Sequence, residues 1–371
     1  MKYRSFGKLE YQPSALGFGA MRLPVLGDPP RIDEEKAIKM IHRSIEGGVN
    51  YIDTAFPYHK GESEILVGKA LKGQYRKRVK LATKLPSWLV EDKADFDKFL
   101  NKQLEKLQTD HIDFYLLHSL DKEKWQNLNR LSVFSWAEKA EKDGRIGHLG
   151  FSFHDQYEVF KEIVDGYDKW TFCQIQLNYM DEDFQAGKRG LKYASQKGLA
   201  VVVMEPLKGG RLANPPEAVK NIFESAGKKT PVDWALGWVW SHPEVSLLLS
   251  GMSSLDQVEE NLAIADRSAA NSLTERDLKI IKKAKEKYLS FKPVPCTGCE
   301  YCLPCPQAIN IPKIFEIYND AVMYGNLKQA KEQYQRLNGV ENCLKCFRCE
   351  KLCPQGIKIT EQLKKAQELL A

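Results

Sequence analysis

Two sets of residues in this chain could do chemistry, and they lie far apart in the sequence. Eight of its nine cysteines fall between residues 296 and 353, in two runs. The first run is Cys296, Cys299, Cys302 and Cys305; the second is Cys343, Cys346, Cys349 and Cys353. Residue 343 lies 47 positions beyond residue 296, so the runs form a repeat. The second has the C-x2-C-x2-C-x3-C-P spacing of two-cluster bacterial ferredoxins. The first is one residue shorter before its last cysteine, and it also ends in Cys-Pro. Three thiolates at this spacing can wrap one face of an iron–sulfur cubane. The fourth, past a turn fixed by the proline, points to the partner cluster. The expected sets are therefore crossed: Cys296, Cys299 and Cys302 with Cys353, and Cys343, Cys346 and Cys349 with Cys305. Isolated C-x2-C pairs would suit zinc equally well. Two such triplets, each closed by Cys-Pro, point to two 4Fe-4S clusters rather than to zinc or to one cluster beside a degraded site. Cys173 stands alone in a strand-like run and reads as a small core residue.

The second set is Asp53, Tyr58, Lys84 and His118. Asp53, Lys84 and His118 end three successive apolar runs, Tyr51–Asp53, Lys80–Lys84 and Tyr115–His118, and Tyr58 follows the first of them. Each has an ordinary structural explanation: a helix cap, a loop residue, a snorkelling lysine, a satisfied core histidine. Together they are hard to excuse as packing, because they would meet only if the three runs were neighbouring strands with their ends at one rim.

The rest of the sequence supplies that arrangement. Strand-like apolar runs recur at Ala15–Gly19, Asn50–Thr54, Val79–Lys84, Asp113–Ser119, Ile146–Phe153, Phe172–Asn178, Leu199–Glu205 and Val245–Gly251. Near-continuous apolar runs suit strands buried on both faces. Amphipathic stretches lie between them at Glu34–Glu46, Glu62–Leu71, Asp95–Leu107, Val133–Lys142 and Tyr157–Val164. Eight strands alternating with helices predict a (β/α)8 TIM barrel, whose active site occupies the C-terminal rim. A doubly wound sheet would need a glycine-rich phosphate fingerprint after the first strand, and Gly17-Phe18-Gly19 lacks its third glycine. The residues before Ala15 suit a hairpin across the barrel floor, and Thr274–Leu289 suits a closing helix. Phe291–Pro295 reads as a stiff linker. The expected domains are thus a barrel over 1–290 and a small, mostly helical iron–sulfur domain over 291–371, with helical spacing from Ile311 to Leu337.

With 371 residues, 43% of them hydrophobic and 28% charged, the chain has material for a sizeable core. Its net charge of +6 is spread along mixed-sign helix faces, with no basic and aromatic stripe for nucleic acid. No run approaches a membrane span, and no apolar segment follows Met1–Gly7 as in a signal peptide. These features predict a cytoplasmic protein that binds neither nucleic acid nor membrane.

The sequence resembles the aldo-keto reductase family over about residues 1–267. The resemblance rests on Gly48–Ala55 with Tyr58, on Thr83-Lys84, and on Asp113–His118. Gly150-Phe151-Ser152, Pro206-Leu207 with Gly210, and Glu260-Asn261-Leu262 extend it. The cysteine region is similar to that of the family's iron–sulfur branch. The resemblance implies NAD(P)H-dependent interconversion of a small carbonyl and its alcohol, with Tyr58 as acid. Lys84 would ease the release of its proton, Asp53 would hold Lys84, and His118 would orient the substrate. It also implies nucleotide contacts at Ser152, Gln174, Pro206, Leu207, Lys208, Gly210, Ser253, Ser254, Gln257 and Asn261, with Gly209 beside them. The family usually has Asn after the serine, where this chain has Phe153. Gly251 and Gln257 replace the usual basic pair for the adenosine 2′-phosphate, so either NADP or NAD is compatible, with Lys208 a candidate substitute. Met21, Phe56, Trp88 and Tyr179 are candidates for the substrate wall.

No flavin motif connects two-electron hydride chemistry to one-electron clusters. The clusters are therefore read as structural, as exchanging electrons with a redox partner protein, or as sensing. The competing function is a redox-sensing or electron-transfer protein whose barrel serves as a cofactor-binding or docking module.

Overall fold

The computed structural model describes residues 1–371. Eight parallel strands close into a barrel: β1 (Leu16–Gly19), β2 (Tyr51–Asp53), β3 (Lys80–Leu85), β4 (Ile112–Leu120), β5 (Ile146–Phe153), β6 (Phe172–Gln176), β7 (Ala200–Met204) and β8 (Val245–Ser250). Their order round the barrel is β1-β8-β7-β6-β5-β4-β3-β2, and β2 returns to β1. Every strand matches an apolar run of the sequence to within two residues at either end. The strands are legible because they are buried on both faces: all six residues of β8 are buried, as are all four of β1. The register sets Gly19 beside Asp53, Lys84 beside Leu116, and Ser152 beside Gln174. It thereby lines up the residues that reach the rim.

The barrel interior is filled by Tyr51, Ala82, Phe114, Leu116, Phe172, Ala200, Val202, Leu247 and Leu249, with Phe6 among them. Phe6 comes from the predicted hairpin, seen as antiparallel bridges Tyr3–Ser14 and Phe6–Leu9. It is fully buried, 4.8 Å from the Phe114 ring and 5.7 Å from that of Phe172. Burying such a ring contributes about 1.5–3 kcal/mol. The plug also needs empty space nearby. A Cβ at Gly150 would lie 2.4 Å from Phe172, so only glycine lets that ring approach β5 so closely.

Among the helices, Glu34–Glu46 and Val133–Lys142 fall as the spacing predicts. Pro231–Trp240 escapes detection because seven of its ten residues are buried, so no polar stripe marks a helical period. The predicted single stretch from Ile311 to Leu337 is two helices, Ile311–Tyr324 and Leu327–Tyr334. Gly325 (φ 69°) breaks it by adopting the left-handed conformation that ends the first helix.

The chain forms two compact units, Met1–Gly209 with Val232–Leu273, and Gly210–Pro231 with Thr274–Ala371. The proline-rich linker suggests a boundary at 290/291, whereas the packing groups 274–290 with the cysteine region. Helix Glu275–Ser290 packs against helix Glu217–Glu224, a contact between distant segments that no local pattern reports. The second unit has its own apolar core. Ile311, Ile314, Phe315, Ile359, Leu363 and Leu370 are central to it, and six of the eight clustered cysteines pack on its edge. Asn319 ties the linker to this core by accepting from Val294 N (3.0 Å) and donating to Val294 O (2.9 Å). No helix is long and apolar enough to cross a membrane.

Candidate active site and cysteine cradles

Asp53 closes β2, Lys84 lies near the end of β3, and His118 lies near the end of β4, all at the C-terminal rim. Tyr58 opens a turn, Tyr58–Gly61, whose next three residues, His59, Lys60 and Gly61, all have positive φ. This unfavourable backbone is held from three sides. The His59 ring accepts a hydrogen bond from Leu23 N (3.2 Å), Lys106 Nζ donates to Gly61 O (3.0 Å), and Ser63 Oγ donates to Ala20 O (3.0 Å). Strain kept in place by such contacts is common where a side chain must be aimed.

The structure brings all four residues together. Lys84 Nζ donates to Asp53 Oδ1 at 2.6 Å and to Thr54 O at 2.8 Å. The Lys84 ammonium lies 5.1 Å from the centre of the Tyr58 ring, and the Tyr58 and His118 rings stand edge to face at 6.2 Å. Asp53 and Lys84 are 2% and 1% exposed, a degree of burial that charges tolerate only in pairs. Burial opposes the charge on Lys84, but Asp53 and Tyr58 outweigh it and hold the ammonium above its ordinary value. Burial is the main influence on Tyr58 too and raises its phenol, while Lys84 pulls it back down. The sequence reading anticipated only the pull of Lys84; in the structure the desolvation of the phenolate is larger. His118 is driven well below its ordinary value by burial first and by Lys84 next, and is therefore neutral near pH 7.

Two predictions arise here. Asp53→Ala leaves the Lys84 charge buried without its partner and should cost about 3–5 kcal/mol in urea unfolding. Asp53→Leu combined with Lys84→Met should recover part of that loss. The second concerns pH. A histidine depressed in the folded state binds fewer protons there than in the unfolded chain, so stability falls as pH drops below the ordinary value of 6.5. His118→Gln should make that fall less steep in melts between pH 7 and 5. An unchanged slope would mean that His118 is accessible to protons in the folded protein.

Behind Lys84 lies a buried network that the sequence reading missed. Glu64, fully buried, accepts from Thr83 Oγ1 (2.7 Å) and Gln103 Nε2 (2.6 Å). Gln103 also donates to Lys84 O (3.0 Å) and accepts from the Tyr115 hydroxyl (2.7 Å). The available signal was a carboxylate on the buried face of helix Glu62–Ala70, beside Leu66, Val67 and Ala70.

The residues expected at the nucleotide fall into three groups. Ser152 and Gln174 are neighbours on β5 and β6, both buried. Ser152 Oγ accepts from Ser119 N at 2.7 Å, while Gln174 Oε1 has no partner. Phe153 turns into the packing against Phe160, with ring centres 5.1 Å apart. In the second group, Pro206 is buried and Leu207 half-buried. The Lys208 ammonium lies 2.7 Å from Asp181, which also accepts from Gln176 and Asn178. Gly210 (φ 90°) has nothing within 4 Å of where a Cβ would be, and it opens the second unit. In the third group, Ser254 caps helix Leu255–Ala265, and Gln257 Oε1 accepts from Ser253 N (2.8 Å). Asn261 donates to Ser250 Oγ (2.8 Å). Arg22 lies along this loop: its carbonyl accepts from Ser253 Oγ (2.7 Å), and its side chain would stand in tight contact, 3.2 Å, with a Cβ at Gly251.

Of the four candidate wall residues, ring contacts place Trp88 beside the site, 5.2 Å from the His118 ring. Phe56 packs on Phe99 and under the Lys106 ammonium, against helix Ala94–Leu107. Tyr179 is fully buried and Met21 is 53% exposed.

In the second unit the cysteines line two cavities. One is bounded by Cys296, Cys299, Cys302 and Cys353. The other is bounded by Cys305, Cys343, Cys346 and Cys349, with Cys302 at its border. Each run thus sends its last cysteine to the cavity of the other.

Comparison with known proteins identifies both parts of the chain. Residues 15–286 match the sequence profile of the Aldo/keto reductase family, and residues 295–358 match that of a 4Fe-4S dicluster domain. L-galactose dehydrogenase of Arabidopsis thaliana is 27% identical over 288 residues, covering 71% of this chain and 88% of its own. The 6-dehydroglucose reductase of Novosphingobium aromaticivorans is 26% identical over 281 residues, covering 70% and 88%. Among solved structures, aldo-keto reductase AKR11C1 from Bacillus halodurans is similar with a TM-score of 0.64 at 28% identity, over 76% of this chain and 96% of that one. With its closed parallel barrel and its cysteine-bearing helical unit, this chain belongs to the aldo/keto reductase family of oxidoreductases and carries a 4Fe-4S dicluster domain.

Proposed function

We propose that the protein is an NAD(P)H-dependent reductase of a small aldehyde or ketone, acting also on the corresponding alcohol in reverse. The observation that carries this reading is the buried Lys84–Asp53 pair beside Tyr58 and His118.

The residues present fit the cofactor. The unpartnered Gln174 Oε1 can accept from a carboxamide NH2, and Ser152 beside it can bind the same group. Pro206, Leu207, Lys208 and Gly210 supply backbone for the pyrophosphate. Ser253 and Ser254 offer hydroxyls at a helix N-terminus, which favours phosphate. When bound, NAD(P)H supplies a hydride to the carbonyl carbon.

Neutral His118 donates a hydrogen bond to the carbonyl oxygen, fixing its position and stabilising negative charge as it develops there. The Tyr58 hydroxyl gives its proton to the resulting alkoxide oxygen. Burial keeps that proton in place beforehand, and the Lys84 ammonium stabilises the phenolate left behind. Asp53 keeps Lys84 charged and aimed. The indole of Trp88 bounds the space beside His118 and suits an apolar part of the substrate. With Gly251 and Gln257 in place of a basic pair, and Lys208 held by Asp181, no strong preference for NADPH over NADH is expected.

The two cysteine cavities fit two 4Fe-4S clusters in the crossed sets, Cys296, Cys299, Cys302 and Cys353 for one, Cys343, Cys346, Cys349 and Cys305 for the other. The test of the reductase reading is anaerobic: cluster-loaded protein is mixed with NADH or NADPH and a panel of aldehydes and ketones. Carbonyl-dependent oxidation of the cofactor supports the reading, and its absence across the panel overturns it.

A further inference from the structure

We propose that the second cysteine run is a docking face for an acidic one-electron carrier protein. The cluster held by Cys305, Cys343, Cys346 and Cys349 is then the port through which electrons pass. The proposal rests on the reading that both cavities hold 4Fe-4S clusters.

The two-fold repeat of the runs is broken between the cysteines. If both runs only held clusters, the residues between their cysteines would be subject to the same demands. They differ at each equivalent position. Thr297, Gly298, Glu300 and Tyr301 of the first run correspond to Leu344, Lys345, Phe347 and Arg348 of the second. Apart from Tyr301, small, polar or acidic residues are replaced by apolar and basic ones. The apolar replacements are not buried by the fold: Leu344 is 65% exposed, Phe347 49% and Leu352 54%. All three border the same cavity as Cys346, itself exposed. Apolar side chains that reach from the cluster cavity to the surface beside an exposed redox ligand suit contact with a protein partner.

The charge of the patch names the partner. Lys345, Arg348 and Lys351 are exposed around it, and no ion pair engages them. Glu350, the one acid in the run, is turned inward, accepting from Thr360 N (2.8 Å) and Thr360 Oγ1 (2.5 Å). The surface is therefore apolar at its centre and positive at its rim, complementary to an acidic protein. The clusters are also not required as filler. The unit already buries a core of sixteen residues, among them Ile314, Phe315, Leu363 and Leu370. In the step itself the reduced carrier loses one electron and the oxidised cluster gains it. No bond forms or breaks and no proton moves.

The experiment uses the anaerobic, cluster-loaded full chain and, as probe, an acidic flavodoxin in its hydroquinone form, whose semiquinone is seen apart from cluster absorbance. Two variants accompany the wild type. One is Lys345→Glu with Arg348→Glu and Lys351→Glu. The other, Leu344→Thr with Phe347→Glu, places first-run residues at equivalent positions. Iron content and bleaching by dithionite establish that each carries reducible clusters. The expected result is a second-order rate that falls steeply with salt in the wild type and drops at least about tenfold in both variants. Equal rates in wild type and variants, with dithionite still effective, overturn the docking face alone. Clusters that dithionite does not reduce overturn the electron port along with it. Self-association of the wild type that the variants abolish assigns the face to a second copy and also overturns the proposal.

Discussion

Tyr58→Phe should lower carbonyl reduction by about 10²–10⁴-fold while leaving NAD(P)H binding unchanged. The substitution removes one hydroxyl and keeps the ring that stands against His118 and under Lys84. The turn carrying Tyr58 is tied by His59, Lys106 and Ser63 rather than by the phenol, so the fold should not depend on it. The loss should appear in kcat more than in KM, because the proton is needed only as negative charge develops on the substrate oxygen. Fluorescence titration with NADH and NADPH provides the binding control. A variant retaining most of its rate would transfer the acid role away from Tyr58.

The second large effect concerns the clusters. Cys353→Ala alters the second run, yet the crossed arrangement assigns its loss to the cluster of the first run, with Cys296, Cys299 and Cys302. Iron per chain should fall from about eight to about four. The surviving cluster should be the one bound by Cys343, Cys346, Cys349 and Cys305. Pairing the substitution with Cys346→Ala should then remove the remaining iron, whereas pairing it with Cys299→Ala should remove little more. The reverse pattern would mean that each run keeps its own four thiols. Because the unit has an apolar core independent of the thiols, the single variant should keep most of its helical circular dichroism.

The sequence exposes the barrel because parallel strands buried on both faces have continuous apolar runs, and each run here became a strand. His118 and Lys84 are visible for the same reason: each ends such a run, and with Asp53 ending a third the three together are hard to excuse as packing. The cysteines are visible because cluster ligation fixes their spacing. What remained hidden depends on contacts between distant segments. Glu64 and Gln103 meet behind Lys84 from two different helices. Phe56, a candidate for the substrate wall or for ordinary loop packing, packs on helix Ala94–Leu107, a contact no local pattern records. Lys208, read as a possible phosphate ligand, is held by Asp181 from a separate loop. The break at Gly325 was hidden for a local reason, since glycine within a helical pattern signals a stop only when its φ is positive. The dominance of burial over Lys84 at Tyr58 depends on how much water the folded rim excludes, which no linear pattern records.

The central claim is that this rim transfers hydride directly to a carbonyl, and deuterium tests it most simply. Nicotinamide cofactor deuterated at both C4 positions is mixed anaerobically with the cluster-loaded protein and whichever carbonyl it turns over, and the alcohol is examined by mass spectrometry and NMR. The account predicts one deuterium on the carbinol carbon for each cofactor oxidised, with solvent hydrogen confined to the hydroxyl. Solvent hydrogen on that carbon, or cofactor oxidation that bleaches the clusters without forming labelled alcohol, would contradict it.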